Sequence, residues 1–345
     1  MKLAAAKELW EPESTYLNTA SYGLPPRPAF DVLTSVLADW RAGRTSWEPW
    51  GEAAEASRGT FARLVGVSPS DVTIGATVSN FVGLIASSLP DGARVVAPNV
   101  EFTSNLFPYF MHAGRGVTVE TVPAARLADA IDASTTAVAF STVQSSTGEV
   151  ADLDAILSAA VDYDAITIVD ATQSCGWLPL DASRVDFVVV HTYKWLMSPR
   201  GAAFLYVNPR RRDDLRPLAA GWYAGEDVHA SYYGPPLRLA RSARRFDVSP
   251  AWFSWVGARP ALELVEDIGV DVINEHNVGL ANAFRSALGL EPSNSAIVSV
   301  DTAGDMSRLE SAGILAAWRA GNLRVSFHLY NDNSDVDALL NTLEV

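Results

Sequence analysis

The stretch AITIVDATQ (165–173), followed by DFVVVHTYKW (186–195), contains the features that decide the fold. Both begin as near-continuous apolar runs, which are typical of strands covered by helices on both faces of a sheet. The first run ends at Asp170, and Lys194 follows closely after the second. A carboxylate at the end of a buried strand needs a cationic partner, and a lysine there is hard to explain by structure alone. The two stretches therefore predict buried strands with chemically active groups at their carboxyl ends.

Runs of the same character flank these two along the chain. They lie at 71–77, 93–98, 116–122, 136–143 and 201–207, and helical patterns such as SNFVGLIASSL (79–89) separate several of them. Strands that alternate with helices predict a doubly wound α/β fold, with a mostly parallel sheet sandwiched between helices. The connection into 201–207 is too short for a parallel crossover, so we expect the last pair to be antiparallel.

The chain changes character after this part. An aromatic and proline-rich stretch at 221–236 leads into a long helix, two strand-like runs and a closing helix. This pattern predicts a second, smaller α+β unit. We expect a large α/β domain at 46–235 and a small C-terminal α+β domain at 236–345, with an N-terminal segment at 1–45 that packs against the small domain.

Composition excludes several classes of partner. The 345-residue chain has a net charge of −14 and is 48% hydrophobic. Such an acidic globular chain is poorly suited to nucleic acid or anionic lipid, so we expect neither as a partner. The single cysteine, Cys175, excludes an intrachain disulfide and argues against a thiolate metal site, so we expect no metal. The opening residues lack the apolar core of a signal peptide, and no stretch is suited to span a bilayer, so we expect a cytoplasmic protein.

Two further strand ends carry groups suited to an anionic, aromatic ligand, because ligands of open α/β sheets bind at the carboxyl ends of the strands. In GATV (75–78), Ala76, Thr77 and Val78 begin a helix, whose N-terminus suits a phosphate. The alternative is that Thr77 is only an N-cap. After the run at 93–98, Phe102 is placed to lie over an aromatic ring, although a lone Phe more often belongs to the core.

Asp170 and Lys194 also have two interpretations each. In the first interpretation, Asp170 pairs with the protonated pyridine nitrogen of a ligand, and this ion pair keeps the ligand ring an effective electron sink. In the second, Asp170 only caps a loop. For Lys194, one interpretation is that a desolvated, cation-rich pocket removes its proton and lets it form a Schiff base. The other is that it is an ordinary surface lysine.

In this order and spacing, the groups resemble those of the class V aminotransferase superfamily, which are fold-type I enzymes dependent on pyridoxal 5′-phosphate (PLP). The resemblance runs from YLNTASYG (16–23) to LRVSFHLYN (323–331), and its most specific element is IVDATQ (168–173) followed by YKW (193–195). It implies a fold-type I PLP-dependent transferase that acts on a small amino acid as a homodimer.

The resemblance also implies roles for individual residues. Lys194 becomes the Schiff-base lysine and Asp170 the partner of the pyridine nitrogen, and these two are the catalytic residues. Arg324 matches an arginine that binds the substrate α-carboxylate, a task that suits a guanidinium; otherwise it is a strand arginine in a surface ion pair. The other cofactor contacts fall on Thr77, Ala76, Val78, Phe102, Ser145, Gln173, His191, Tyr193 and, from the neighbouring subunit, Ser249.

The same resemblance implies that the helix start at Thr77 holds the phosphate together with His191 and Tyr193. Phe102 stacks on the ring, as in kynureninases, where desulfurases have histidine. Gln173 lies near the phenolic oxygen and Ser145 beside the ring. The Gly-Thr pair by which the family's neighbouring subunit contacts the phosphate is absent, and Ser249 is the candidate substitute.

Departures from the family bear on the reaction. The stretch GILAAWRAGN (313–322) lacks the loop cysteine that desulfurases need, and Cys175 is more typical of a small buried residue. We therefore expect an aminotransferase, with a PLP-dependent C–S or C–C lyase (cysteine lyase-like or kynureninase-like) as the alternative. A non-catalytic PLP-binding module is a remote alternative, because such modules usually carry a basic DNA-binding domain.

The substrate pocket has two open features. Aromatic residues are expected to line it or to pack a dimer interface; they are Tyr22, Trp47, Trp50, Trp222, Tyr223, Tyr232 and Tyr233. No second cation beside Arg324 is evident, which argues against a dicarboxylate substrate. The chain also lacks a G-x-G-x-x-G or Walker loop, which argues against a nucleotide-binding enzyme.

Overall fold

The computed structural model describes residues 3–302 and 306–344. The α-helices in these ranges are α1 (Leu3–Lys7), α2 (Arg27–Arg41), α3 (Glu48–Leu64), α4 (Val78–Ser88), α5 (Thr103–Phe110), α6 (Leu153–Asp162), α7 (Trp252–Ile268), α8 (Val270–Ala287), α9 (Met306–Ser311) and α10 (Asn333–Leu343). The strands are β1 (Thr15–Tyr16), β2 (Val72–Gly75), β3 (Arg94–Pro98), β4 (Thr118–Val122), β5 (Ala137–Ser141), β6 (Ile166–Asp170), β7 (Phe187–His191), β8 (Ala203–Val207), β9 (Ile297–Val300), β10 (Ile314–Leu315), β11 (Ala317–Arg319) and β12 (Asn322–Ser326). No helix in the described ranges has the length and apolar character that a bilayer crossing requires.

A seven-stranded sheet lies at the centre of the molecule, in the order β2-β8-β7-β6-β5-β3-β4. Neighbouring strands run parallel except at β8, which is antiparallel to both β2 and β7. The predicted α/β fold with a mostly parallel sheet is confirmed, and so is the antiparallel final pair. The connection between β7 and β8 is a short turn, which cannot return the chain to the start of a parallel strand.

Helices cover this sheet on both faces. Successive side chains of a strand point to opposite faces, so Val188 of β7 packs in an apolar cluster with Phe61 of α3, whereas Val189 packs in a different cluster with Ile85 of α4. Every residue of β5 and β7 is buried. Burial on both faces explains why these strands appear in the sequence as continuous apolar runs and not as alternating patterns.

The C-terminal part contains a second sheet, with the order β11-β12-β9 and antiparallel pairing throughout. Phe284 of α8, Val325 of β12 and Leu339 of α10 belong to its apolar cluster. The N-terminal segment joins it, because Leu17 lies in the same cluster and β1 pairs with β10. Helix α7 packs on α2 and α3. The boundaries at residues 45 and 235 stay a prediction.

A buried ion pair connects the large sheet to the segment around Asp247, which follows the aromatic stretch at 221–236. The Asp247 carboxylate accepts hydrogen bonds from Arg58 of α3 at 2.6 Å, from the Thr73 hydroxyl at 2.6 Å and from the Ile74 backbone N–H at 2.9 Å. Burial raises the pKa of Asp247, and the Arg58 guanidinium opposes the shift. Since removing one partner of a buried pair leaves an uncompensated charge, this contact holds the segment firmly against β2.

Candidate active site

The loops that follow β2, β3, β5, β6 and β7 surround a cavity of about 270 Å³. Among the residues expected to form the site, those that line it are Thr77, Val78, Phe102, Ser145, Asp170, Gln173, His191, Tyr193 and Lys194. The backbone at Ala76 lies beside it and contacts the His191 ring. Parallel strands end at one edge of the sheet, which brings together residues far apart in the sequence.

Lys194 lies in the turn after β7, and its side chain is almost fully buried. Its Nζ atom is 5.4 Å from the centre of the Phe102 ring. Burial lowers the pKa of Lys194 to about 8, although the Asp170 carboxylate opposes the shift, and three neighbouring arginines add to it. Roughly a tenth of such amines are neutral at pH 7, compared with well under a thousandth for an ordinary lysine. Lys194 is therefore a competent nucleophile and base near neutral pH.

The Asp170 carboxylate is buried where β6 ends. One of its oxygens accepts a hydrogen bond from the backbone N–H of Thr172 at 2.8 Å, and the Thr172 side chain also hydrogen-bonds to the carboxylate. Burial raises the pKa of Asp170, whereas Thr172 and the Lys194 charge lower it. A carboxylate can accept about four hydrogen bonds, so Asp170 keeps the capacity to bind a protonated ring nitrogen, which would supply both a charge and a donor.

Glu101 is a second buried carboxylate close to Asp170, and sequence reasoning missed it. It accepts hydrogen bonds from the Ser141 hydroxyl, from the Ser141 backbone N–H at 2.8 Å and from Gln144 at 3.1 Å. Burial raises the pKa of Glu101, the Ser141 hydrogen bond lowers it, and the Asp170 charge raises it. Two carboxylates at close range disfavour ionisation of both. The sequence signal that could have identified Glu101 is its position. Glu101 comes shortly after β3, at the same edge of the sheet at which β6 ends with Asp170.

The start of α4 forms one side of the cavity. The Thr77 hydroxyl donates to Asn80 Oδ1 at 2.6 Å and accepts from the Asn80 backbone N–H at 3.3 Å, so Thr77 is the N-cap of an 11-residue helix. Thr77, Val78 and Ser79 line the cavity. The N-cap interpretation is confirmed. The phosphate site at this helix start stays a prediction, with which the cap is compatible because a capped helix still presents N–H groups and a positive dipole end.

His191 faces the same side with an unmet hydrogen-bonding group. Its Nε2 atom is buried and has no partner among the described residues. Burial lowers the pKa of His191 to about 4, and the Arg200 and Lys194 charges lower it further. The ring is therefore neutral at pH 7 and can donate one N–H. When Nε2 carries this N–H, a phosphate oxygen is a suitable acceptor for it.

Arg200 is a site residue that sequence reasoning missed. It lines the cavity, and its guanidinium carbon lies 5.0 Å from the centre of the Tyr193 ring. No ion pair to Arg200 is present within residues 3–302 and 306–344. The signal was again positional, because the short connection that predicted the antiparallel β7–β8 pair also places Arg200 at the edge occupied by Lys194.

The N-terminal segment packs against the turn after β7 that contains Lys194. The Gly23 N–H donates to the Tyr193 carbonyl at 2.9 Å, and the Tyr22 ring lies 5.1 Å from the Tyr193 ring. A Cβ atom at residue 23 would lie 1.9 Å from the Lys194 carbonyl oxygen. Only glycine permits this close approach, and it places Ser21 and Tyr22 beside the cavity.

Gln173 is held by three hydrogen bonds. Its Nε2 donates to the Ser145 hydroxyl at 2.9 Å and to the Ala20 carbonyl at 3.0 Å, and its Oε1 accepts from Trp195 Nε1 at 2.9 Å. The amide is therefore fixed in position beside the cavity. Ser145, whose place in the site rested on a weak sequence similarity, links Gln173 to Arg324.

Arg324 of β12 is only 2% exposed. Its guanidinium donates to the Ser145 carbonyl and to the Ser21 hydroxyl, each at 2.6 Å. Its Nε has no partner, and no carboxylate pairs with it in the described parts of the chain. Burial lowers the pKa of Arg324 to about 10, and the Arg319 charge lowers it further. The surface ion pair interpretation is wrong, because Arg324 is buried and lacks a carboxylate partner in the described ranges, and such a guanidinium is suited to bind an anion.

A second guanidinium lies next to Arg324. Arg319 of β11 donates to the same Ser21 hydroxyl, at 3.4 Å. The expectation that Arg324 has no cationic neighbour is therefore wrong. That expectation failed because the two arginines are neighbours across a strand pair, and not along the chain.

Two other candidate residues lie outside the cavity. Ser249 is exposed and does not contribute to the cavity of its own subunit. Cys175 is buried in the core, and burial raises its pKa to about 12, so it is a packing residue and not a nucleophile.

The aromatic residues mostly form a separate cluster. The Trp47 ring lies 5.1 Å from Trp222 and 5.5 Å from Trp252. Trp50 contacts Phe253, while Tyr223 and Tyr232 contact Trp222. Of the expected pocket aromatics, Tyr22 is the one whose ring contacts a cavity residue. These contacts do not favour an aromatic substrate.

Known proteins share this architecture over nearly the whole chain. A cysteine desulfurase of Escherichia coli superposes with a TM-score of 0.84 at 20% identity, covering 100% of this chain and 98% of that one, which shows the fold alone. An uncharacterized aminotransferase of Bacillus subtilis is 29% identical, over 85% of this chain and 83% of its own length. A kynureninase of Deinococcus radiodurans is 26% identical, over 78% of this chain and 70% of its own length.

The decisive comparison is with a family. Residues 40–305 match the family described as aminotransferase class-V, so the match includes β2 to β8 with Asp170 and Lys194. The groups around the cavity fit the cofactor of that family, since Asp170 would meet a ring nitrogen, and His191 and the start of α4 would meet a phosphate. The chain therefore belongs to the class V aminotransferase family of PLP-dependent enzymes.

Proposed function

We propose that this enzyme is an aminotransferase that binds PLP covalently through Lys194 and removes the amino group from a small amino acid. Asp170 pairs with the ring nitrogen, and Phe102 covers one face of the ring. The start of α4 and His191 hold the phosphate, and Arg200 adds positive charge on that side. Support comes from the convergence of these groups on one cavity and from their unmet hydrogen-bonding capacity.

PLP, when bound, supplies an electron sink that stabilises negative charge at the substrate Cα. The protein groups decide which bond of the substrate reacts. Arg324 binds the α-carboxylate through its free guanidinium edge, and this contact directs the Cα–H bond toward Lys194. Nζ of Lys194 then removes the Cα proton as a general base, for which a pKa near 8 is well matched to neutral pH.

The observation that favours transamination over a lyase reaction is that the side chains near the cavity that are available to protonate a leaving group are weak acids. The lowered pKa of His191 leaves it neutral at pH 7. Burial raises the pKa of Tyr193, so its hydroxyl stays protonated and is a weaker acid than that of a free tyrosine, and the thiol of Cys175 is buried in the core. Lys194 is then the group that moves protons, and a single base is sufficient for transamination.

A single-turnover experiment tests this reaction. Mixing the enzyme with a productive amino acid and no acceptor is expected to release one equivalent of 2-oxo acid per subunit and to convert the cofactor to its amine form, which absorbance follows. Release of ammonia, a thiol or a shortened amino acid over many turnovers would replace this proposal with the C–S or C–C lyase. Absence of any absorbance change with all amino acids would favour a non-catalytic PLP-binding module.

We further propose that the enzyme is a cytoplasmic homodimer in which Ser249 of one subunit contacts the phosphate held by the other. Support comes from the position of Ser249, which is exposed and lies outside the cavity of its own subunit, where a second subunit can reach it. Sedimentation is expected to give a dimer at working concentration, and Ser249→Ala is expected to weaken PLP binding by about three- to tenfold, the effect of one hydrogen bond. A fully active monomer would contradict this.

A further inference from the structure

Arg319 and Arg324 lie on one face of a tight hairpin. Ala320 and Gly321 form its two-residue turn, both with positive φ (49° and 86°), which is the geometry of a type I′ turn. In the β11–β12 register, Arg324 faces Ala317 and Arg319 faces Asn322. Residues two apart on a strand share a face, so Arg319 and Arg324 are diagonal neighbours. The turn therefore brings two like charges together.

Both guanidinium groups converge on one hydroxyl. Ser21 Oγ accepts from Arg324 at 2.6 Å and from Arg319 at 3.4 Å. With both lone pairs used in this way, the Ser21 proton is available to a third partner, which must be an acceptor. Neither arginine has a carboxylate partner within residues 3–302 and 306–344. Like charges on neighbouring positions are destabilising unless an anion lies between them.

The charges around the cavity indicate how many anions the site accommodates. Three arginines, Arg200, Arg319 and Arg324, are each close enough to lower the pKa of Lys194, in a chain whose net charge is −14. Under the proposed function, Arg200 lies on the phosphate side, beside His191, and Arg324 binds the α-carboxylate. The cofactor phosphate and the substrate α-carboxylate are then both bound by other residues, and neither is left as an anionic partner for Arg319.

We infer that Arg319 binds a carboxylate at the end of the substrate side chain, so that the enzyme prefers a dicarboxylic amino acid. This inference rests on the proposed function for the position of the α-carboxylate. Arg324 is buried and takes the α-carboxylate, whereas Arg319 is exposed at the turn and reaches the more distant group. The Ser21 hydroxyl donates to one of the two carboxylates and keeps the guanidinium groups apart.

Equilibrium binding of unreactive acids tests the inference without turnover. Calorimetry with the PLP-loaded enzyme compares glutarate with valerate and succinate with butyrate, pairs that differ by one carboxylate. The wild type is expected to bind at least one dicarboxylate about 10- to 100-fold more tightly than its matched monocarboxylate, the usual worth of a charge-assisted contact. Arg319→Gln is expected to remove most of this preference, and Arg319→Lys, which keeps the charge, part of it.

Arg308→Gln is the matched control, because Arg308 is an exposed arginine of the same C-terminal part that pairs with Glu344 at 2.6 Å. It is expected to keep the wild-type preference. Equal binding of both acids by the wild type, or an unchanged preference in Arg319→Gln, would overturn the inference. If dicarboxylates are preferred but no amino acid changes the cofactor absorbance, the inference stands and the proposed aminotransferase reaction fails.

Discussion

Replacing Lys194 with alanine is expected to abolish covalent attachment of PLP and to lower turnover by about 100- to 10,000-fold, the usual contribution of a general base. The test is unusually clean, because the chain contains three lysines, Lys2, Lys7 and Lys194. Borohydride reduction of the wild type, followed by peptide mapping, is expected to place the label on the peptide that contains Lys194. Lys194→Arg serves as a second variant that keeps a positive charge but cannot form the bond.

Lys7→Ala is the control, since Lys7 forms an exposed ion pair with Asp332 and lies outside the cavity. It is expected to keep the label and the activity. Label on Lys2 or Lys7, or turnover in Lys194→Ala close to that of the wild type, would refute the assignment.

The lowered pKa of Lys194 adds a pH dependence to this result. The neutral amine is the form that attacks the cofactor, and burial lowers the pKa of Lys194 to about 8. For protein stripped of PLP, the rate of reattachment is expected to rise with pH up to about 8 and to level off above it. An ordinary lysine would show a rise that continues to about pH 10. Stopped-flow absorbance distinguishes the two profiles.

Replacing Asp170 with alanine is expected to leave PLP bound through its phosphate while slowing Cα proton removal by about 100- to 1,000-fold, the effect of losing one well-placed electrostatic contact. Asp170→Asn keeps the shape and the Thr172 contact but removes the charge. It is expected to be similarly slow, since a neutral amide does not stabilise a protonated ring nitrogen. Exchange of the Cα proton with deuterium, followed by NMR, measures this step directly.

Glu101→Gln is the informative comparison, because Glu101 is also buried and its charge influences Asp170. The amide keeps the packing, and the change is expected to slow proton removal much less than Asp170→Asn does. An equal loss in both variants would mean that the two carboxylates act as a unit. Full activity in Asp170→Ala would exclude the ring-nitrogen role.

The sequence alone was sufficient for the main sheet and for two central residues of the candidate site. Strands buried on both faces must be apolar throughout, so β5, β6 and β7 appear as continuous runs, and any polar group at their ends stands out. Asp170 and Lys194 were visible for this reason. The antiparallel β8 followed from the length of its connection, which is a local property of the chain.

Only the tertiary structure decided which charges meet. Glu101 resembles any loop carboxylate until β3 and β6 place it beside Asp170. Ser21 contacts two arginines some 300 residues away along the chain, and this contact depends on the packing of the N-terminal segment against the small sheet. Electrostatic interactions depend on distances in space, whereas periodicity reports only which face of one element is buried. The fold class was therefore determined by the sequence pattern, and the charge pattern of the substrate pocket by the tertiary structure.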